Sequence, residues 1–168
     1  APILPVDANV AVGAWRDWDP AAPGPFYVGY RTIPITYDAP TVAGRETTIH
    51  VWYPTLVPDG PHPRYLGTFD DDVSIVDAPL APSAYEDGHY PVHVYSHGDR
   101  GFGASSAFLM RRFASHGWVA IAPDHTGNTL DNNVVPRPIN LYFLRGTDLS
   151  AALDAMDALA SSDPLSGL

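Results

Sequence analysis

Apolar and polar positions alternate with a period of two through Thr47 to Tyr53, where Ile49, Val51 and Tyr53 are interleaved with Thr48, His50 and Trp52. That is the period of a pleated strand, and here both faces carry residues that can be buried. Pro54 ends the run. Phe26 to Tyr37 also has strand character, broken at Pro34, which lacks the N–H a ladder uses. The β-branched and aromatic residues of Val92 to Tyr95 predict a further strand. From Ala104 to His116 the period changes: Leu109, Met110, Phe113 and Ala114 make one apolar stripe, with Arg111, Arg112 and Ser115 facing outward. This predicts a helix, with Gly117 as its C-terminal cap. Trp118 to Ala122 is then a short apolar strand, closed by Pro123-Asp124. Strand, helix and strand in such close succession form a βαβ unit and imply parallel pairing. A polar stretch, His125 to Asn140, precedes a last helix predicted to start near Thr147, with Leu149, Ala152, Leu153, Met156 and Ala160 at helical spacing. Thr147 or Asp148 would cap it, and Ser161-Ser162-Asp163-Pro164 ends it.

Composition narrows the partners. The chain of 168 residues is one domain by length, with eighteen prolines and fourteen glycines that predict loop-rich structure in the first ninety residues. Residues 1–25 read as an extended N-terminal segment lying across the domain, anchored by Trp15 and Trp18. Residues 26–168 read as part of one α/β domain. The net charge is −10, and every one of the nine bases is arginine. Nucleic acid and anionic membranes are therefore poor partners. With no cysteine there is no disulfide framework, zinc–thiolate site or thiol nucleophile. No apolar run reaches the ~18 residues of a transmembrane helix. The chain begins Ala-Pro-Ile, read as a processed N-terminus and an expectation of secretion or periplasmic location. No metal and no cofactor is expected: none of the seven histidines pair at His-x-x-x-His spacing on a predicted helix. Asp70-Asp71-Asp72 does not match a calcium loop and reads as a solvated surface loop.

Candidate chemistry concentrates in Tyr90 to Ser106. His97-Gly98-Asp99-Arg100-Gly101 is a turn between a strand and a helix start, and Gly103 allows the chain a close approach to its neighbours as the helix begins. Such a turn leaves backbone N–H groups free to converge on a developing oxyanion. His97 is read as shaping the turn, His93 as a core or sheet-facing residue, and His116 as a surface residue by a helix end. Asp124 and His125 are adjacent at a strand end, so they diverge and fix loops rather than act on one atom. Ser105 and Ser106 are read as helix caps. No Gly-x-Ser-x-Gly nucleophile turn occurs in the chain.

Four patterns, in order, then resemble a family. Gly24-Pro-Phe-Tyr-Val-Gly-Tyr-Arg31 and Ile49-His-Val-Trp-Tyr-Pro54 look like the first two strands of α/β-hydrolases. Pro91-Val-His-Val-Tyr-Ser-His-Gly98 with Asp99-Arg-Gly101 looks like the third strand and oxyanion turn. Ala114 to Thr129 looks like the end of helix A, strand four and the loop after it. The branch most closely resembled is that of the platelet-activating-factor acetylhydrolase-like and dienelactone-hydrolase-like serine esterases. The resemblance implies the N-terminal half of an α/β-hydrolase fold, a mostly parallel sheet flanked by helices, with strands one to four and helices A and B. It implies ester hydrolysis through an acyl-enzyme, with the Asp99 N–H as half of the oxyanion hole and His97, Gly98 and Gly101 shaping the turn. Arg100, Phe102, Asn128 and Tyr142 would border the substrate cleft. The family's serine, acid and histidine have no counterpart here, so the triad is expected on a second polypeptide that completes the fold, the C-terminal fragment of the same precursor. Half an open sheet on its own would expose the edge of strand four and an apolar helix face. The alternative is a non-catalytic binding or interaction module.

Overall fold

The computed structural model describes residues 10–166. In chain order it holds a 3-10 turn at Ala14–Asp17, then β1 (Tyr27–Ala39), β2 (Val42–Thr55), β3 (Arg64–Tyr65), β4 (Phe69–Asp70), β5 (Ser74–Val76) and β6 (Val92–Val94). A second 3-10 turn at Gly103–Ser106 leads into α1 (Ala107–Ser115), and β7 (Val119–Pro123) and α2 (Leu141–Asp157) complete the order. Five strands form one sheet in the order β5-β1-β2-β7-β6, while β3 and β4 make a separate small ladder.

The short Pro40-Thr41 connection makes β1 and β2 a hairpin, and β2 pairs antiparallel with β7. β6 and β7 are parallel, as the βαβ pattern predicts, and β5 lies parallel to β1. The sheet is thus mixed rather than mostly parallel, because a two-residue loop can join only antiparallel neighbours. Pro34 does not break β1. It sits opposite Thr48, beyond the three residues where β5 covers the strand's other side, so its missing N–H costs no ladder bond on that open edge. The strand at the β6 end of the sheet is another correction. Strand four of the resemblance, β7, lies inside the sheet, and the open edge belongs to β6.

Both faces of the sheet are covered, which is why β2 is apolar on both. Trp52, Val28 and Tyr30 pack with Ala107, Met110 and Ala114 of α1. Ile49, Val51, Tyr53 and Ile121 pack with Ala152 and Met156 of α2. α1 departs from its predicted stripe. Ser115 is buried rather than outward, accepting the Gly24 N–H at 3.0 Å and donating to Arg112 O, while Leu109 is part-exposed. Gly117 succeeds the helix at φ +81°, where a glycine is needed.

α2 starts six residues before the predicted Thr147, and its buried stripe is Leu141, Leu144, Asp148, Ala152 and Met156. Leu153 is instead 41% exposed. Asp148 is therefore no cap but a fully buried mid-helix carboxylate. Asp71 also leaves the predicted surface. It is buried, accepting hydrogen bonds from Tyr65 at 2.5 Å and Ser74 at 2.7 Å, and pairs with Arg111 at 2.5 Å. Trp18 meets the Phe26 ring edge-on, and Trp15 packs beside Tyr85. No described helix is long and apolar enough to cross a membrane.

Candidate functional site

The parallel pair β6–β7 brings the ends of two strands together, and the loops that leave them meet there. Tyr95 N–H still reaches Ile121 O at 2.9 Å, so the chain departs from the sheet at Ser96. Gly101 N–H returns to Gly98 O at 3.0 Å, closing a tight turn with Arg100 in the left-handed region at φ +55°. For a residue with a Cβ that conformation costs roughly 1–2 kcal/mol and persists only where surrounding structure imposes it. Among the described residues, the Asp99 N–H in this turn has no backbone acceptor.

His97 holds the turn from beneath. It is fully buried, with Nδ1–H donating to Gly98 O at 2.8 Å and Nε2 accepting the His125 N–H at 3.0 Å. The second bond requires a bare Nε2, and burial pushes the imidazole pKa below its ordinary value, so the ring is held neutral. Of the two glycines in the turn, Gly101 is the constrained one: a Cβ there would stand 3.1 Å from Gly98 O and 3.2 Å from His97 Nδ1. A Cβ on Gly98 would meet nothing within 4 Å, so that residue serves the turn through its carbonyl alone. Gly103 does make the predicted close approach. Its N–H donates to Asp124 Oδ1 at 2.7 Å, and a Cβ would fall 2.5 Å from the His50 ring and 2.6 Å from Ala122 O.

Asp124 and His125 diverge, as neighbours at a strand end must. Asp124 turns to Gly103 and to His50 Nε2 at 3.3 Å, and His50 Nδ1 lies 2.7 Å from the Tyr30 hydroxyl. Burial raises the Asp124 pKa, but the His50 contact and the Gly103 N–H outweigh it and leave the carboxyl below the ordinary range. His125 turns the other way. Its Nδ1 lies 2.8 Å from Asp148 Oδ2 and its Nε2 2.8 Å from Ser96 Oγ. Asp148 also receives Arg45 Nε at 2.7 Å, Arg45 Nη2 at 2.8 Å and the Tyr37 hydroxyl at 2.7 Å. Here too burial raises the pKa, and the bonds from Arg45, His125 and Tyr37 more than reverse it, so Asp148 is ionised.

The Asp99 side chain is turned aside from its own N–H. Asn128 Nδ2 donates to one carboxylate oxygen at 2.8 Å and Arg137 Nη2 to the other at 2.6 Å, with Arg100 Nε farther off at 4.0 Å. Asn128 is fully buried, and its Oδ1 accepts from Arg145 Nη1 at 3.0 Å. Arg145 also donates to Ser96 Oγ at 3.1 Å and to the His97 carbonyl. The predicted cleft residues do not come together as one wall. Arg100 and Tyr142 are exposed, Asn128 is a buried strut, and Phe102 stacks on Phe69 as part of the core. Ser106 stands at the N-cap position of α1, but neither serine makes a side-chain capping bond: the Ser105 and Ser106 hydroxyls donate to Phe102 O and to the Tyr95 hydroxyl. His93 stacks on Phe113 and His116 bridges Arg112 O and Asp19 O.

Ser96, Arg45, Arg145 and Asp148 are the members of this site that sequence reasoning misses. The signal on offer is a carboxylate on the buried stripe of α2, with leucine seven and four residues before it and alanine four after. Among the described residues no group of three or more His, Asp or Glu is arranged to hold a metal ion. Next to the site the outer edge of β6 has no strand neighbour among the described residues, and Val92 there is 41% exposed. On the α1 face, Val28, Val73, Phe108, Leu109 and Arg112 line an open cleft of 530 Å³.

No family model matches the chain, and no curated protein matches it. Among solved structures it resembles a ferulic acid esterase from Streptomyces cinnamoneus, with a TM-score of 0.62 and 21% identity over 86% of this chain. The match takes in 50% of the esterase, so the chain spans half the length of that protein. At this identity the likeness is one of fold, carried in this chain by a five-stranded mixed sheet flanked by helices.

Proposed function

We propose that this chain is the N-terminal part of a serine hydrolase that cleaves carboxylic esters through an acyl-enzyme. The observation that carries the reading is the Asp99 N–H, without a backbone acceptor in a turn braced from below by His97 and placed where β6 and β7 end side by side. In parallel sheets that end is where ligands are bound. An N–H with no internal partner, fixed by a rigid turn, is a donor preorganised for a tetrahedral oxyanion. The Asp99 carboxylate, which would repel such an anion, is occupied by Asn128 and Arg137.

The nucleophile of this reading comes from a second polypeptide, produced with this one by processing or nicking of a precursor, in a secreted or periplasmic setting. Two surfaces support a partner: the open edge of β6 and the apolar cleft beside α1, where Phe108 is 69% exposed. An uncovered strand edge and, at the opposite side of the sheet, a patch of exposed apolar side chains are each surfaces that a partner can cover. Arg100 and Tyr142, exposed near the turn, remain the chain's candidates for contact with the ester. Intact mass under native and denaturing conditions tests the partner. The native particle should exceed 18.1 kDa and separate into two polypeptides on denaturation. A folded native particle no heavier than this chain refutes the two-chain reading and leaves the non-catalytic module as the better account.

A further inference from the structure

Ser96, His125 and Asp148 form an unbroken hydrogen-bonded line inside this chain, with Ser96 Oγ 2.8 Å from His125 Nε2 and His125 Nδ1 2.8 Å from Asp148 Oδ2. From this geometry we propose that Ser96 is a reactive serine, activated by His125 and Asp148, that accepts acyl groups from carboxylic esters. It lies two residues after β6 and not in a Gly-x-Ser-x-Gly turn, so it is a different residue from the nucleophile the two-chain reading requires. It needs no second polypeptide and stands independently of that reading.

The protons are assigned by the partners. Asp148 is ionised and can only accept, so the neutral form of His125 carries its proton on Nδ1 and presents a lone pair at Nε2. The Ser96 hydroxyl therefore donates to Nε2, the arrangement of a serine beside its general base. The base is dry and fixed, since His125 and Asp148 are both fully buried, whereas Ser96 is exposed and open to a substrate. Arg145 Nη2, 3.1 Å from the same oxygen, places a positive charge beside the hydroxyl that gives up its proton.

In the acylation step the Ser96 oxygen bonds to the ester carbonyl carbon, the carbonyl electron pair moves onto its oxygen, and the hydroxyl proton passes to His125 Nε2. Asp148 then faces an imidazolium. Collapse of the adduct re-forms the carbonyl and breaks the bond to the alcohol oxygen, which leaves with the proton from Nε2. Water repeats the sequence on the acyl-serine, giving the carboxylic acid and restoring Ser96. Arg45 shares the Asp148 carboxylate, so the imidazolium gains less from it than from an unshared acid, and turnover is slow. A covalent adduct is for that reason a better readout than rate.

The test treats the native purified protein with a fluorophosphonate, in which Ser96 displaces fluoride from phosphorus, and maps the adducts on this chain and on any co-purified polypeptide by peptide mass. The expected result is one adduct on this chain, at Ser96, absent from Ser96→Ala, retained by Ser105→Ala, and slowed on the order of 100-fold or more when the protein is denatured. Ser96 is a surface position, so its alanine variant should fold, and circular dichroism checks this. No adduct on the folded chain overturns the proposal, as does an adduct that survives Ser96→Ala. An adduct found only on the serine of a co-purified second polypeptide also overturns it, while supporting the two-chain reading.

Discussion

Replacing Asp148 by alanine should be among the most damaging single changes in this chain. The carboxylate is fully buried and accepts from Arg45 twice, from His125 and from Tyr37. Arg45 is itself only 7% exposed, so the variant leaves a guanidinium uncompensated away from water. Removing one partner of a buried ion pair costs about 3–5 kcal/mol. At roughly 2–4 °C per kcal/mol for a chain of this size, the midpoint of thermal unfolding should fall on the order of 10 °C. Urea and thermal melts of the wild type, Asp148→Ala and the pair Arg45→Met with Asp148→Leu measure it. The double variant should be more stable than Asp148→Ala, because it removes both charges and leaves apolar volume in their place. The acid limb carries an independent signature. The folded pKa of Asp148 lies below its ordinary 3.8, so the unfolded chain binds the extra proton between the two values. The stability is thus present above about pH 4 and lost as pH falls through the lowered folded value. The gap between wild type and Asp148→Ala should narrow over that range. A loss below about 1 kcal/mol at neutral pH would refute the reasoning, since it would mean that Arg45 needs no carboxylate.

Three further outcomes rest on the geometry. Gly103→Ala should destabilise by about 1–3 kcal/mol, because the new methyl meets the His50 ring and the rigid Ala122 carbonyl, and equilibrium denaturation reads this directly. Met110→Ala, at a fully buried position between α1 and the sheet, should cost about 2–5 kcal/mol in the same assay. His97 has a folded pKa below the ordinary 6.5, so the unfolded chain takes up a proton first as pH drops. Its contribution is complete above about pH 6.5 and erodes as pH falls below that towards the lowered folded value. His97→Gln should flatten this slope in denaturation curves between pH 7 and 5.

Much of the architecture is legible in the sequence because it rests on local periodicity. The alternation in β2 announces a strand buried on two faces, and the β6–α1–β7 pattern announces a parallel pair. Pro34 misleads, since whether proline breaks a strand depends on what lies alongside it, and β1 is open there. The pattern gives α2 too short and rotated because Tyr142 and Phe143, apolar but exposed, disguise a stripe that passes through an acid. That disguise hides the centre of the site. Nothing local links Ser96, His125, Arg45 and Asp148. They meet only because β6 and β7 are parallel neighbours and α2 packs back across them. The turn itself is readable, down to the close approach at Gly103, since a backbone turn is encoded where it occurs. The partners that hold Asp99 aside, Asn128 and Arg137, come from a loop about thirty residues away or more and carry no periodic signal.

Covalent capture on the native particle tests the central claim most directly. Fluorophosphonate treatment and then denaturing mass analysis, with hydrolysis of a simple aryl ester monitored in parallel, asks whether a reactive serine is present at all. The account predicts adducts on serine, at Ser96 of this chain and at the nucleophile of the second polypeptide, and loss of ester turnover in proportion to them. A folded native particle that neither takes up the probe nor turns over the ester would contradict it.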